Sequence, residues 1–149
     1  MSADERHPGK PCNQPRARVV LADDHQAARG QAERVLAGSY DIVGEATDGL
    51  ELMEAAGRLD PDVIVLDISM PRLGGFDAAR SLKQRGCRSK LVFLTVYEDA
   101  DFAREAMAVG GEGYVVKSRL ASDLETAVSE ALAGRTFISP TVRTGTSML

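Results

Sequence analysis

The sequence has no tryptophan, only two cysteines and no apolar run long enough to cross a membrane. Cys12 and Cys87 are too few for a disulfide framework and lack the spacing of metal ligands. A bilayer span needs about twenty consecutive apolar residues, and the N-terminus also lacks the apolar core of a secretory signal. We therefore expect a cytoplasmic protein that makes no membrane contact.

Clusters of basic residues are missing as well. The chain carries 18 lysines and arginines against 22 aspartates and glutamates, a net charge of -4, and no segment concentrates the positive residues. Nucleic-acid backbones are bound by concentrated lysine and arginine, so this chain is not expected to bind nucleic acid directly. Its 149 residues suit one domain with its own hydrophobic core.

The two ends of the sequence differ from its middle. Residues 1–16 contain three prolines and few apolar side chains, which predicts a disordered leader. Residues 139–149 are rich in serine and threonine and show no periodicity, which is typical of a tail or the start of a linker. One folded domain is therefore expected over residues 17–138.

Between these ends, short apolar runs alternate with amphipathic segments. The runs are typical of strands buried on both faces and cover Val19–Ala22, Ile42–Ala46, Val63–Leu66, Leu91–Leu94 and Tyr114–Val116. The spacing of apolar residues predicts helices over His25–Leu36, Phe76–Arg85 and Ala100–Val109, around Leu52–Ala56 and around Leu124–Leu132. Five such units predict a doubly wound α/β fold with a five-stranded parallel sheet in the flavodoxin-like order 2-1-3-4-5 and helices on both faces.

Polar side chains follow four of these strands at the point where each strand ends. Asp23 and Asp24 follow the first strand and Asp67 follows the third, while Thr95 and Lys117 end the fourth and fifth. Parallel sheets bind ligands just outside the carboxyl ends of their strands, so we expect these side chains to converge. Three neighbouring carboxylates repel one another unless a hard divalent cation neutralises them, and Mg²⁺ is the natural choice.

Each of these residues also has an ordinary interpretation. One aspartate of the first pair could simply cap the helix near His25. Asp67 could be an ordinary solvated loop residue, Thr95 an ordinary strand residue, and Lys117 a solvated residue at the end of a strand. Together they describe phosphoryl chemistry: a carboxylate nucleophile, a hydroxyl that donates to a phosphoryl oxygen and an ammonium that neutralises the transferred charge. His25 itself is expected to lie exposed at the start of its helix.

Over residues 17–138 the sequence resembles the receiver domain of two-component response regulators, which has the CheY-like form of this fold. The shared features are the acidic pair Asp23-Asp24, the Asp67-x-x-Met70-Pro71 loop with Gly75, and the single residues Thr95, Tyr114 and Lys117. The stretches Gly113–Ser118 and Ala133–Pro140 are similar to the NarL/LuxR-type subfamily. Members of that subfamily usually continue into a helix-turn-helix DNA-binding domain.

The resemblance implies a phosphorelay switch. Asp67 would take a phosphoryl group from the phosphohistidine of a sensor histidine kinase or a phosphotransfer protein, in a Mg²⁺-dependent reaction that the domain catalyses on itself, and hydrolysis would reset it. Asp23, Asp24, Asp67 and the main-chain carbonyl of Ser69 would hold the ion, with Asp23 acting chiefly through water. The outcome would be a changed contact with a downstream protein or output domain, or a phosphorylation-dependent homodimer.

The resemblance also implies which residues would form the conformational switch. Thr95 and Lys117 would contact the phosphoryl group, and Tyr114 would swing into the space that Thr95 vacates, coupling the site to the face formed by the fourth helix, fifth strand and fifth helix. Two departures from the family pattern stand nearby: Ser118 replaces a common proline after Lys117, and the bulky Tyr97 follows Thr95 by two positions. We expect Tyr97 to shield the acyl phosphate partly and to slow its hydrolysis.

Other functions remain open from the sequence. A pseudo-receiver would keep the fold as a phosphate-independent interaction or dimerisation module, and the chain could also be the receiver fragment of a DNA-binding transcriptional regulator. An aspartyl phosphatase would need a second aspartate where this chain has Ser69, and a flavin-binding protein would need a first loop that, unlike Asp23-Asp24, does not repel phosphate. The last two functions are therefore disfavoured.

Overall fold

Six parallel strands form the central sheet of the computed structural model, which describes residues 15–142. The strands are β1 (Arg18–Ala22), β2 (Asp41–Ala46), β3 (Val63–Leu66), β4 (Lys90–Thr95), β5 (Gly113–Val116) and β6 (Phe137–Ile138). The helices are α1 (Gln26–Leu36), α2 (Gly49–Leu59), α3 (Gly75–Gln84), α4 (Ala100–Ala108) and α5 (Leu120–Leu132), and a 3₁₀ turn over Lys117–Arg119 precedes α5. Most of the expected leader over 1–16, including Cys12, and of the expected tail over 139–149 lies outside the described residues.

The strand order is β2-β1-β3-β4-β5-β6, and every neighbouring pair is parallel. The predicted flavodoxin-like order 2-1-3-4-5 is confirmed, but the expectation of five strands is wrong because β6 adds to the edge of β5. Phe137 pairs with Gly113, and Ile138 pairs with Tyr114. A two-residue strand has no apolar periodicity of its own, so only its backbone pairing with β5 reveals it.

The strands are apolar along their length because helices cover both faces of the sheet. Alternate residues of a strand point to opposite faces. Val19 and Leu21 of β1 therefore belong to the core cluster that α1 and α5 complete, while Val20 and Ala22 belong to the cluster completed by the other three helices. This double burial holds the strand ends, and the polar residues that follow them, in a fixed arrangement.

The three helices predicted with both bounds are confirmed to within one residue at each end. α2 begins with Asp48 as its N-cap: the Asp48 carboxylate accepts from the N–H of Glu51 at 2.8 Å, and the Glu51 carboxylate accepts from the N–H of Thr47, the residue before the cap, at 2.7 Å. The N-cap residue of α1 is His25, whose own side chain makes no cap hydrogen bond, while its N–H donates to Asp23 Oδ1 at 2.9 Å. Over residues 15–142, no helix is both long and apolar enough to span a membrane.

Candidate functional site

The carboxyl ends of β1, β3, β4 and β5 bring the predicted site residues together at one edge of the sheet. Asp23 and Asp67 are each only 4% exposed, whereas Asp24 lies at the surface. Asp23, Asp24, His25 and Asp67, called the acidic cluster below, each offer one ligand atom, and these atoms all lie within 4.8 Å of one another. Carboxylates this close repel one another, and their oxygen atoms are the donors that a hard divalent cation prefers.

Lys117 reaches into the acidic cluster from the end of β5. Its Nζ lies 2.7 Å from Asp23 Oδ2 and 3.1 Å from Asp67 Oδ2, and its side chain is 15% exposed. Burial alone would lower the pKa of Lys117, but its hydrogen bond to Asp23 and the charge of Asp67 outweigh burial and raise that pKa. The ammonium group therefore stays charged and offsets part of the repulsion between the two buried carboxylates.

Asp67 is held by the tight loop between β3 and α3. Its Oδ1 accepts a hydrogen bond of 2.7 Å from the N–H of Ile68, and the N–H of Gly75 donates to the carbonyl of Ile68 at 2.8 Å. A Cβ atom at Gly75 would lie 2.1 Å from the carbonyl oxygen of Asp67, so this close return of the backbone requires glycine. Arg72, with a φ of 68°, ties the loop to α2, because its Nε and Nη2 lie 2.8 Å and 2.7 Å from Asp48 Oδ2.

Thr95 ends β4 with its hydroxyl buried and, among the described residues, without a hydrogen-bond partner. β4 lies between β3 and β5, so Thr95 stands between the strands that lead to Asp67 and Lys117. Burying a hydroxyl without a partner costs roughly 1–3 kcal/mol. A buried donor left unsatisfied at a cluster of charged groups is typical of a position where a ligand supplies the acceptor.

Tyr97 connects the site to the candidate switch residue Tyr114. The Tyr97 hydroxyl lies 2.9 Å from Ser69 Oγ, so it bridges the loops that follow β3 and β4, and its ring stacks on Phe102 at a centroid distance of 4.5 Å. Tyr114 is fully buried, and its hydroxyl donates to the carbonyl oxygen of Tyr97 at 2.8 Å. Burial, with smaller contributions from nearby carboxylates, raises the pKa of Tyr114, so its hydroxyl stays protonated.

The contacts that hold the acidic pair are not predicted by sequence reasoning. Arg29 of α1 donates from Nη1 to the carbonyl oxygen of Asp23 at 2.7 Å and from Nε to Glu45 Oε1 at 2.8 Å. The Nδ1 of His25 lies 3.2 Å from Asp23 Oδ1 and 3.1 Å from Asp24 Oδ1, while the His25 side chain is 67% exposed, as expected. Arg29 gives no local signal, because its partners belong to the loop after β1 and to β2.

Comparisons with known proteins agree with this arrangement. The family model described as the response regulator receiver domain matches residues 19–129. The transcriptional regulatory protein DegU from Brevibacillus brevis is 33% identical over 132 residues, which are 87% of this chain and 56% of DegU. The nitrate/nitrite response regulator protein NarL from Escherichia coli strain K12 is 33% identical over 129 residues, which are 85% of this chain and 60% of NarL.

A solved structure of similar sequence has the same fold. The crystal structure of a LuxR-family two-component response regulator from Aurantimonas sp. SI85-9A1 is 32% identical with a TM-score of 0.81, and the match covers 85% of this chain and 92% of that one. The chain spans less than two thirds of the length of DegU or NarL. It therefore belongs to the response regulator receiver family, as a phosphorelay signalling domain with relatives of the NarL and LuxR type.

Proposed function

We propose that this domain is a phosphorylation switch whose acceptor is Asp67. The proposal rests on one observation: Asp67 lies 3.1 Å from the Lys117 ammonium, at the sheet edge where the buried hydroxyl of Thr95 lacks a described partner. A phosphoryl group on Asp67 would add acceptor oxygens and negative charge beside a cation and an unpaired donor. These are the groups that stabilise a transferred phosphoryl group.

The reaction is a transfer of the phosphoryl group between two nucleophiles. A carboxylate oxygen of Asp67 attacks the phosphorus of a phosphohistidine; the O–P bond forms, the P–N bond breaks, and the imidazole leaves with the electron pair. Lys117 stabilises charge on the phosphoryl oxygens, and Thr95 donates to one of them. The domain supplies these groups itself, so acetyl phosphate should also serve as donor, and attack by water on the acyl phosphate resets the switch.

The donor atoms of the acidic cluster fit a magnesium ion. Asp23, Asp24 and Asp67, whose ligand atoms lie within 4.8 Å of one another, would hold the ion. The family resemblance adds the main-chain carbonyl of Ser69 to this set and implies that Asp23 acts chiefly through water. When bound, Mg²⁺ screens the charge of Asp67 from the incoming phosphoryl oxygens. Lys117 pairs with two of these carboxylates, Asp23 and Asp67, so its ammonium group neutralises part of their charge.

The switch follows from the new charge at Asp67. The Thr95 hydroxyl, which lacks a described partner, would turn toward the phosphoryl group, and the already buried Tyr114 would move into the space that Thr95 vacates. Because the Tyr114 hydroxyl donates to the carbonyl of Tyr97, the loop after β4 moves with the ring. The phosphoryl group shifts the population between two states of this loop. The size of the shift is limited by the difference between its affinities for the two states.

The names of the relatives support an output in transcription. DegU is a transcriptional regulatory protein, and this chain spans 56% of its length. We infer that the domain acts in the cytoplasm as the receiver portion of a DNA-binding regulator, or on a separate downstream protein. A sensor histidine kinase or phosphotransfer protein would supply the phosphoryl group, and a phosphorylation-dependent homodimer is compatible with either output.

Intact-mass measurement after incubation with acetyl phosphate and Mg²⁺ tests this function. The wild-type protein should gain a single phosphoryl group, and the gain should disappear in Asp67→Asn and in the presence of a chelator. Asp77→Asn, the same change at an exposed residue of α3, should retain it. A wild-type protein that gains nothing and binds no Mg²⁺ would instead be a pseudo-receiver, a phosphate-independent interaction or dimerisation module.

A further inference from the structure

A polar cluster with a buried centre and a partly exposed arginine, Arg119, holds the backbone turn that carries Lys117. Ser139 and Asp123 are 1% and 6% exposed. The Ser139 hydroxyl donates to Asp123 Oδ2 at 2.8 Å and accepts from the N–H of Val116 at 3.1 Å. Arg119 donates twice to Asp123, from Nε to Oδ2 at 2.8 Å and from Nη2 to Oδ1 at 3.1 Å. Ser139, Asp123 and Arg119 are called the Ser139 cluster below.

The Ser139 cluster binds the chain on both sides of Lys117. Val116 immediately precedes the lysine, and Arg119 follows it by two residues. The residues from Lys117 to Arg119 form a 3₁₀ turn with trans peptide bonds, and Ser118 occupies the position of the common proline. A proline would restrict this turn covalently, whereas here buried side-chain hydrogen bonds restrict it. The cluster therefore limits how far Lys117 can move.

Ser139 also connects the cluster to the segment that follows α5. Its N–H donates to the carbonyl of Tyr114 at 2.9 Å, which continues the pairing of β6 with β5. Val142, three residues further on, packs against the core. Residues 137–142 are called the C-terminal segment below. Its first three residues are bonded to the strand that contains Tyr114 and leads into Lys117, and Val142 anchors its end by packing against the core.

We propose, on the basis of the function assigned to Asp67 above, that the Ser139 cluster couples phosphorylation of Asp67 to the C-terminal segment. With the cluster closed, the turn holds Lys117 where its Nζ lies 3.1 Å from Asp67 Oδ2. Coupling between two sites is reciprocal. Because the closed cluster favours the position of Lys117 that engages the phosphoryl group, phosphorylation favours the closed cluster and holds the C-terminal segment more firmly on β5.

The charges and burial of the cluster favour discrete closed and open arrangements over intermediate ones. A hydrogen bond from Arg119 lowers the pKa of Asp123 against the opposing effect of burial, and hydrogen bonds from Ser139 and Ser122 contribute. The carboxylate is therefore charged at neutral pH. Opening the cluster would leave this buried charge short of donors and the N–H of Val116 without an acceptor, so half-open arrangements are disfavoured. Coupling through a contiguous network requires such discrete arrangements.

The rate at which acetyl phosphate and Mg²⁺ phosphorylate the protein, followed by intact mass, is the first measurement. Ser139→Ala should slow this rate by roughly twofold to thirtyfold, the range for residues that modulate coupling without touching a ligand. Asp123→Asn, which keeps the shape of the side chain, should slow it as well. Ser118→Ala removes an exposed hydroxyl from the same turn and should match the wild type.

Amide hydrogen exchange over the C-terminal segment separates coupling from a plain loss of stability. In the wild type, phosphorylation should slow exchange at residues 137–142. In Ser139→Ala phosphorylated to the same extent, that difference should disappear. A purely structural role for Ser139 would instead speed exchange in both states and leave the phosphorylation-dependent difference intact.

Two results would overturn the coupling while leaving the proposed function in place. In the first, the wild type forms the adduct and Ser139→Ala reacts as fast as Ser118→Ala. In the second, phosphorylation leaves exchange of the C-terminal segment unchanged in the wild type. Absence of an adduct on the wild type would overturn the proposed function itself, and the coupling with it.

Discussion

Tyr97 lies across the two loops that carry the proposed phosphoryl chemistry, with its hydroxyl 2.9 Å from Ser69 Oγ and its ring stacked on Phe102. Tyr97→Ala should shorten the lifetime of the phosphoryl group on Asp67, because water then reaches the acyl phosphate more easily. We expect a change of roughly threefold to tenfold, which corresponds to about 1 kcal/mol in the barrier to hydrolysis. Decay of the adduct, followed by intact mass after the donor is removed, measures it.

Tyr97→Phe separates the effect of the ring from that of the hydroxyl. The stack on Phe102 stays in this variant, and only the hydrogen bond to Ser69 is lost. Shielding by the ring predicts a lifetime close to that of the wild type for Tyr97→Phe. An unchanged or longer lifetime in Tyr97→Ala would show that the ring does not shield the acyl phosphate.

The Tyr114 hydroxyl donates a hydrogen bond to the carbonyl oxygen of Tyr97 at 2.8 Å. Tyr114→Phe removes that donor while keeping the buried ring, so the free energy of unfolding should fall by about 1 kcal/mol. Urea denaturation followed by circular dichroism measures the change. A variant as stable as the wild type would mean that this hydrogen bond contributes nothing net to the folded state.

Single residues of the site differ in how far the sequence predicts them. The placing of Asp67 and Lys117 is predictable because each follows an apolar run, and a parallel sheet brings its strand ends to one edge. Arg29 and Arg72 are not predictable, because they bind the carbonyl of Asp23 and the carboxylate of Asp48. Those contacts depend on the paths of loops, which leave no periodic pattern in the sequence.

Among the elements, the loop between β3 and α3 depends on one close approach of the backbone. Gly75→Ala would place a Cβ atom 2.1 Å from the carbonyl oxygen of Asp67 and 2.9 Å from the Cα of Ile68, so the loop must shift. The free energy of unfolding should fall by about 1–3 kcal/mol. Phosphorylation by acetyl phosphate should also slow, because the shift displaces Asp67 itself.

Gly57, inside α2, offers a matched control for that substitution. A Cβ atom there meets nothing within 4 Å. Alanine is favoured over glycine in a helix interior by about 0.5–1 kcal/mol, so Gly57→Ala should raise the free energy of unfolding and leave phosphorylation unchanged. Urea denaturation of both variants makes the comparison, and similar effects at the two positions would contradict the role given to Gly75.

The length of an element determines whether the sequence predicts it. The helices, of 9 to 13 residues, are long enough to show apolar periodicity. β6 has two residues and forms because β5 and the residue before it offer backbone partners: the N–H of Phe137 donates to the carbonyl of Glu112 at 3.1 Å, and the N–H of Ser139 donates to the carbonyl of Tyr114 at 2.9 Å. Ser139 is buried, although the sequence suggests that a tail begins there. The sequence does not reveal this burial because the hydrogen-bond partners of Ser139 lie far away along the chain.

At the scale of the whole molecule, hydrogen-bonded carboxylates shape the response to acid. Asp123 has a lowered pKa mainly because of Arg119, and Asp48 mainly because of the N–H of Glu51, with burial opposing both shifts. The pKa of each of these carboxyl groups is lower in the folded than in the unfolded protein. Each group therefore stabilises the fold fully at a pH above its unfolded-state pKa, and this stabilisation is lost as the pH falls through its folded-state pKa. The free energy of unfolding should therefore decline below about pH 5.

Urea denaturation at a series of pH values measures that decline. Asp123→Asn cannot titrate at this position, so its stability should fall less steeply with decreasing pH than that of the wild type. The variant should nevertheless be less stable at neutral pH, because the ion pair with Arg119 is lost. Parallel curves for the two proteins would mean that Asp123 does not contribute to the acid response.

The two-residue strand β6 also affects how the protein behaves in concentrated solution. β5 is buried and apolar, and β6 covers part of a backbone edge that would otherwise be open. Open edges pair readily with strands of other molecules, and proteins blunt them with short strands or charges; the opposite edge, β2, carries the exposed Asp41 and Glu45. We therefore expect β6 to protect the sheet against edge-to-edge aggregation, so that freeing residues 137–138 reduces solubility while the domain is still folded.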